Sequence, residues 1–157
     1  MPLVLARIDC RLVHGQVVEA WIPHVKANSL IIANDAIVAN HILRSVMELA
    51  VPVEVKARFC RLDQVAEMLK EADVADERSI LLVSNASDAI KAWKNGAGFN
   101  VLNIGNLHYE EGKSQITSSV FFATGDFEAL QWFRSNGVSV CVKGTPFESG
   151  ILFEAEK

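Results

Sequence analysis

The 157-residue chain has little of what marks several large classes of protein. No apolar run approaches the length needed to cross a bilayer, and the N-terminus lacks the charged-then-apolar layout of a secretory leader, so the expected location is cytoplasmic. Cysteine is scarce. Cys10, Cys60 and Cys141 are an odd number with no CxxC pair, which fits a reducing compartment and argues against a disulfide framework. The four histidines, His14, His24, His41 and His108, are scattered, and no pair of them has a ligand spacing joined to cysteines, so no metal site is expected. Basic charge is not in excess either. Fifteen Lys and Arg against nineteen Asp and Glu leave a formal net charge of -4, without the basic surplus of a nucleic-acid binder. Neither a GxGxxG stretch nor a Walker-type loop occurs, which counts against a nucleotide-binding module. No repeat, low-complexity tract or linker interrupts the chain, and residues 1–157 are read as one domain.

What the chain does have is short apolar runs alternating with helical patterns; half of its residues are hydrophobic. Leu3, Val4, Leu5 and Ile8 read as a first strand. A helix opening at Gly15 and Gln16 carries Val17, Val18 and Trp21 at helical spacing, and Pro23 should end or kink it. Ser29 to Ala33 is a buried-strand candidate, followed by a loop at Asn34-Asp35. A helix from about Asn40 to Ala50 has Ile42, Val46 and Leu49 on one face and is broken at Pro52. Val53 to Arg58 alternates as a third strand. Leu62, Val65, Ala66, Leu69 and Ala72 form a helical stripe, and Ser79 to Val83 suits the middle of a sheet. Asn85 with Asp88 starts the next helix and Asn95-Gly96 stops it. Val101 to Ile104 is a strand, and Gly105 to roughly Thr117 a long polar loop of the kind that is often functional. Val120 to Ala123 is a further strand. Phe127, Leu130 and Phe133 lie on a helix that Asn136-Gly137 ends, and Val138 to Val142 closes the series. Strand and helix alternate throughout, so the predicted fold is α/β: three layers, with an open, mostly parallel sheet of about six or seven strands and helices on both faces.

The first strand, turn and helix are where chemistry concentrates. The turn holds Arg7, Asp9, Arg11 and His14, at the carboxyl edge of a strand where α/β sheets carry ligand sites. Free N–H groups at the helix start, around Gly15 and Gln16, favour an anion. Two arginines and one imidazole beside them point to a phosphoryl group held by, or bonded to, His14, since imidazole is a competent nucleophile near neutral pH. Arg11, three residues from His14 in the same turn, is the expected phosphate contact. Arg7, on the strand, suits a structural ion pair equally well. Asp9 is placed to orient Arg11 or His14 by a hydrogen bond. Asp35, at the end of the second strand, is either a site residue or a helix cap, and His108 in the polar loop is a second histidine to consider. Trp21, Trp93 and Trp132 fall in helical stripes and read as packing residues.

Arg7-Ile8-Asp9-Cys10-Arg11-Leu12-Val13-His14-Gly15-Gln16-Val17 resembles the signature of the mannose/sorbose-type IIB subunit of the bacterial sugar phosphotransferase system, which runs Arg-Ile-Asp-Asp-Arg-Leu-Ile-His-Gly-Gln-Val. Ile31-Ile32-Ala33-Asn34-Asp35 with Val38-Ala39-Asn40, Leu102-Asn103-Ile104-Gly105 with His108, Gly112 and Lys113, and the stretch from Gly137-Val138 to Pro146 are similar to later blocks of that family. The resemblance implies a phosphocarrier: His14 takes a phosphoryl group on Nδ1 from a phosphorylated IIA protein and passes it to a sugar bound by membrane IIC and IID partners. It implies neither metal nor organic cofactor. Cys10 departs from the pattern, since the family has a second aspartate there and a thiol cannot replace that charge. His41 is a second departure. A regulatory phosphoacceptor of the same fold, without sugar transport, is the alternative that Cys10 keeps open.

Overall fold

The computed structural model describes residues 3–157. Strand β1 (Leu3–Asp9) leads through the polar turn into a wide-turn π-helix, Gln16–Trp21, which runs on as α-helical Ile22–Val25; the two together are α1. Then follow β2 (Ser29–Ala33), α2 (Asp35–Ala39), α3 (His41–Ala50), β3 (Lys56–Cys60) and α4 (Val65–Val74). After β4 (Ser79–Val83) and α5 (Ala86–Ala92) come β5 (Val101–Asn106), β6 (Ser114–Gln115), β7 (Phe121–Phe122), α6 (Thr124–Ser135), β8 (Ser139–Val142) and β9 (Ile151–Phe153).

Seven strands form the main sheet in the order β3-β2-β4-β1-β5-β8-β9, and β6 pairs only with β7. Every pairing in the main sheet is parallel except β8 with β9. The α/β sheet of six or seven strands expected from the sequence is therefore present. Connections that run toward β3 use α1, α2 and α3. Those that run back use α4, α5 and α6 and cross the other face, as right-handed crossovers require. Two cores result. One gathers Ala6, Ile8, Leu81, Val83, Ala89, Phe122 and Phe133 beneath α4, α5 and α6; the other gathers Leu12, Val17, Trp21, Leu30, Ile32 and Leu82 beneath α1. The helix after β1 covers one face while those after its neighbours β4 and β5 cover the other. A crevice opens at the carboxyl end of β1 for that reason, and it is there that open α/β sheets bind ligands.

Local chemistry explains the boundaries. Pro23 lies inside α1 rather than at its end. The ladder there has already widened, with the Ile22 N–H reaching the Val17 carbonyl five residues back, so the missing proline donor is absorbed and the helix stops only at left-handed Lys26. Asn34, Asn40 and Asn85 each cap a helix through the side-chain oxygen, and the first of these starts the short α2, which the sequence reads as loop. β3 begins at Lys56 rather than Val53, because the Val55 N–H closes a turn onto the Pro52 carbonyl (3.0 Å) and leaves Val53 in solvent. The long polar loop is partly ordered, since β5 runs on to Asn106 and β6 pairs with β7. β9 adds an edge strand that the sequence series lacks.

Candidate functional site

Strand alternation decides what β1 sends into the crevice. Ala6 and Ile8 enter the core beneath α4, α5 and α6, so Arg7 and Asp9 project to the α1 face. Both are 0% exposed, and a charge at that depth persists only when it is paired and hydrogen-bonded. Arg7 Nε and Nη2 donate to Asp9 Oδ2 at 3.1 and 3.0 Å. Its Nη1 donates to Asn103 Oδ1 at 2.7 Å and, more weakly, to the Lys143 carbonyl at 3.4 Å, while Nη2 also reaches Gln16 Oε1 at 3.1 Å. The guanidinium carbon lies 5.3 Å from the centre of the Trp21 ring, whose Nε1 donates to the Gly144 carbonyl at 2.7 Å. Burial lowers the Arg7 pKa, and the charges of Asp9 and Glu148 only partly offset it.

Asp9 collects donors from every side. Oδ2 also accepts from Asn106 Nδ2 at 2.9 Å and from His14 Nε2 at 2.6 Å, and Oδ1 accepts the Arg11 backbone N–H at 2.9 Å. Burial alone would raise this carboxyl. The His14 bond, the Arg7 charge, and the bonds from Asn106 and Arg11 outweigh it and hold Asp9 below the ordinary carboxylate range. Because an ionised carboxylate can only accept, Nε2 carries a proton, and in the neutral ring the lone pair is then on Nδ1. That Nδ1 is buried and has no hydrogen-bond partner.

β5 reaches this network through a bulge. Arg7 pairs with Asn103 and Ile8 with Ile104, but Asp9 pairs with Asn106, so Gly105 is the extra residue. In a regular strand residues 103 and 106 would face opposite sides; the added residue brings both amides under α1. Asn106 Nδ2 then bridges Asp9 and Gln16 Oε1 (2.9 Å), and Asn103 Nδ2 holds the carbonyls of Cys141 and Lys143 at 3.2 and 3.1 Å. Gly105 is also a steric requirement, because a Cβ there would lie 2.0 Å from the Arg7 guanidinium.

The turn itself is tightly held. Leu12 adopts a left-handed φ of 56°, unusual for a branched side chain, and is kept there by its own burial and by a 3.0 Å bond from its N–H to the Asp9 carbonyl. With Leu12 and Val13 buried and Asp9 drawing the ring inward, the His14 side chain is only 8% exposed. The helix start has no side-chain cap, and among the described residues none of the backbone amides from Val13 to Val17 donates to a protein acceptor. Those amides and the exposed Arg11 side chain are what the turn offers to an anion.

The structure thus brings Arg7, Asp9, His14 and Gln16 into one network, with Arg11 and Gly15 on its rim. Arg7 is wholly engaged in holding Asp9, its neighbours and Trp21. Gln16 turns its side chain inward and leaves only its amide for phosphate. Cys10 is half-buried beside Asp9, and its N–H donates to the Asn106 carbonyl at 3.0 Å. Two residues fall outside the network. Asp35 caps the Leu62 N–H at 2.9 Å, and exposed His108 pairs with Glu110 in its own loop at 2.9 Å. Asn103, Gly105 and Asn106 have no site role in the sequence reading. The available signal was two asparagines on one short strand, a residue that strands disfavour. Among the described residues no cluster of three or more His, Cys, Asp or Glu could hold a metal ion.

A doubly wound sheet whose first βα turn orients an imidazole with a carboxylate and leaves its second nitrogen unpaired defines an α/β protein with a histidine held at its ligand-binding crevice. Comparison with known proteins narrows this. Residues 3–153 match the family described as PTS system sorbose subfamily IIB component, and the chain belongs to that family, as a IIB component of a sugar phosphotransferase system. It is 36% identical over 153 residues to the N-acetylgalactosamine-specific phosphotransferase enzyme IIB component 2 of Escherichia coli K12, covering 96% of each chain. It is 27% identical over 143 residues to the mannose-specific EIIAB component of the same strain, covering 91% of this chain and 44% of that protein. The IIBSor domain of the sorbose permease of Klebsiella pneumoniae superposes with a TM-score of 0.87 at 28% identity, over 96% of this chain and 93% of that one. Among the described residues no helix is long and apolar enough to cross a membrane.

Proposed function

We propose that this IIB component is a phosphocarrier, a single domain over residues 1–157, whose acceptor atom is His14 Nδ1. The observation that carries the reading is the division of labour on the ring: Nε2 is committed to Asp9, and Nδ1 is the one nitrogen left with a lone pair. The donor is a phosphorylated IIA protein or domain, and the mannose relative, whose name joins A and B, carries a second part beyond the region matched here. As the Nδ1–P bond forms, the bond between phosphorus and the donor histidine breaks, and its electron pair stays on the donor imidazole. Nε2 keeps its proton, and Asp9 offsets the positive charge that develops on the His14 ring. Arg11 and the amides of Val13 to Val17 receive the phosphoryl oxygens. Because Nδ1 is covered in the free protein, docking of the donor has to swing the ring or part the turn. In the second transfer a sugar hydroxyl held by membrane IIC and IID partners attacks phosphorus, releases its proton, and returns Nδ1 to its free state.

The test is labelling by phosphorylated IIA, with the phosphoryl group mass-mapped under alkaline conditions that preserve phosphohistidine. His14→Ala should abolish acid-labile labelling, and His108→Ala should leave it largely in place, because Glu110 beside His108 repels added negative charge. A His14→Ala protein that is folded by circular dichroism and melting curve yet labels at the parental level overturns the assignment.

A further inference from the structure

α3 is mounted the wrong way round for a surface helix. Its apolar residues recur at helical spacing, yet none of its ten residues is buried. Ile42, Val46 and Leu49, with Val53 just beyond the helix, stand 77%, 58%, 88% and 102% exposed, and Leu43 beside them 39%. The side toward the protein is made by half-buried Arg44, Met47 and Val51, of which Met47 and Val51 touch the core beneath α1. The periodic stripe that normally drives a helix onto its own core here faces solvent.

We propose that this face is an interface between two copies of the chain, formed by antiparallel packing of α3 on α3 about a two-fold axis at Val46. The stripe presents on the order of 600 Å2 of apolar surface per copy, the upper limit of what a monomer commonly leaves open. Two such faces bury about 1,200 Å2, the lower bound of a stable specific interface. In an isologous contact of this kind, residues equidistant from the axis meet. Val46 packs on its equivalent, Ile42 on the partner's Ala50, and Leu43 on the partner's Leu49. No charged group is trapped, because Arg44 and Glu48 project from the side of the helix opposite Val46. The position in the fold favours a second copy over a protein that must reach His14. α3 connects the two strands at one end of the sheet, whereas the His14 turn follows β1, separated from β2 by β4. The exposed face of α3 stands apart from the phosphocarrier reading, and only the preference for a second copy over a partner that docks at His14 rests on it.

Sedimentation of the full chain across micromolar to millimolar concentration tests it. The expected result is a reversible monomer–dimer equilibrium that Val46→Glu weakens at least a hundredfold and that Phe147→Ser, an exposed apolar residue elsewhere, leaves unchanged. With Cys10 and Cys141 replaced by serine, Val46→Cys should cross-link to itself through a short bifunctional thiol reagent, and Val53→Cys, which lies away from the axis, should not. A chain that stays monomeric throughout, whose surface is then covered by some other partner, overturns the proposal. So does a dimer indifferent to Val46→Glu, or one in which Val53→Cys cross-links in preference to Val46→Cys.

Discussion

Replacing Gly105 by alanine should damage the protein far more than one methyl group on a strand ordinarily would. Gly105 has no positive φ, so an alanine fits its backbone and the objection is purely steric. The new Cβ would sit 2.0 Å from both Cζ and Nη2 of Arg7 and 2.4 Å from Nη1, whereas ordinary contact begins at 3.4 Å. The guanidinium has to move by about 1.4 Å, the difference between 3.4 and 2.0 Å. Its bonds to Asp9, Asn103 and Gln16, between 2.7 and 3.1 Å long, cannot survive such a shift together. Breaking one side of a buried ion pair costs about 3–5 kcal/mol. Urea unfolding of Gly105→Ala should therefore show a loss of that size. In an Arg7→Met background the same change should cost less than about 1 kcal/mol, because the planar group it collides with is gone. A loss below about 1 kcal/mol in the parent, or an equal loss in both backgrounds, refutes the claim that Gly105 exists to seat Arg7.

Asp9 supplies a pH test. Its folded pKa lies below the ordinary value, so its contribution to stability is complete above about pH 4 and is lost as pH falls through the lower folded value; Asp9→Asn should flatten the acid side of a stability profile, and an unchanged slope would refute this. Burial, reinforced by the charges of Asp35 and Asp63, pushes the Cys60 thiol up to about 12. Alkylation of the native protein at about pH 8 should therefore modify Cys10 and Cys141 and spare Cys60, with all three modified in urea. Asn106→Leu leaves Asp9 and Gln16 each short of one donor, and a loss of about 1–3 kcal/mol should accompany slower labelling by phosphorylated IIA. Full stability and full rate together would show that the amide bridge is dispensable.

How far the sequence discloses this protein depends on how local each determinant is. Ser79–Val83 is legible because a strand covered on both faces must be apolar along nearly all its length, and the Asn85 cap is legible because one side chain serves one amide three residues on, whereas the same device at Asn34 passes for a loop. The Asp9-to-His14 turn is legible for the same reason, since its logic lies within six consecutive residues. β9 is hidden because three half-open edge residues carry no burial pattern. The stripe on α3 reveals a face but not its direction, and that direction depends on what else the fold leaves uncovered. Half of the site is hidden more deeply. Asn103 and Asn106 serve Arg7 and Asp9 from a strand almost a hundred residues away, and they point the right way only because Gly105 shifts the register, which neither composition nor periodicity reports.

The exhaustion of Arg7 has a consequence for the proposed carrier, which would have to give away what it takes. Every donor atom of that guanidinium is turned to a protein acceptor, and its charge is matched by Asp9 across the shortest path. A phosphoryl group on His14 would meet one exposed arginine and a row of peptide dipoles rather than a clamp of buried cations. Such a seat holds the group in line without deepening the well it sits in. With Arg7 held behind the carboxylate, out of reach of the cargo, the outward step of the proposed carrier would not become much slower than the inward one.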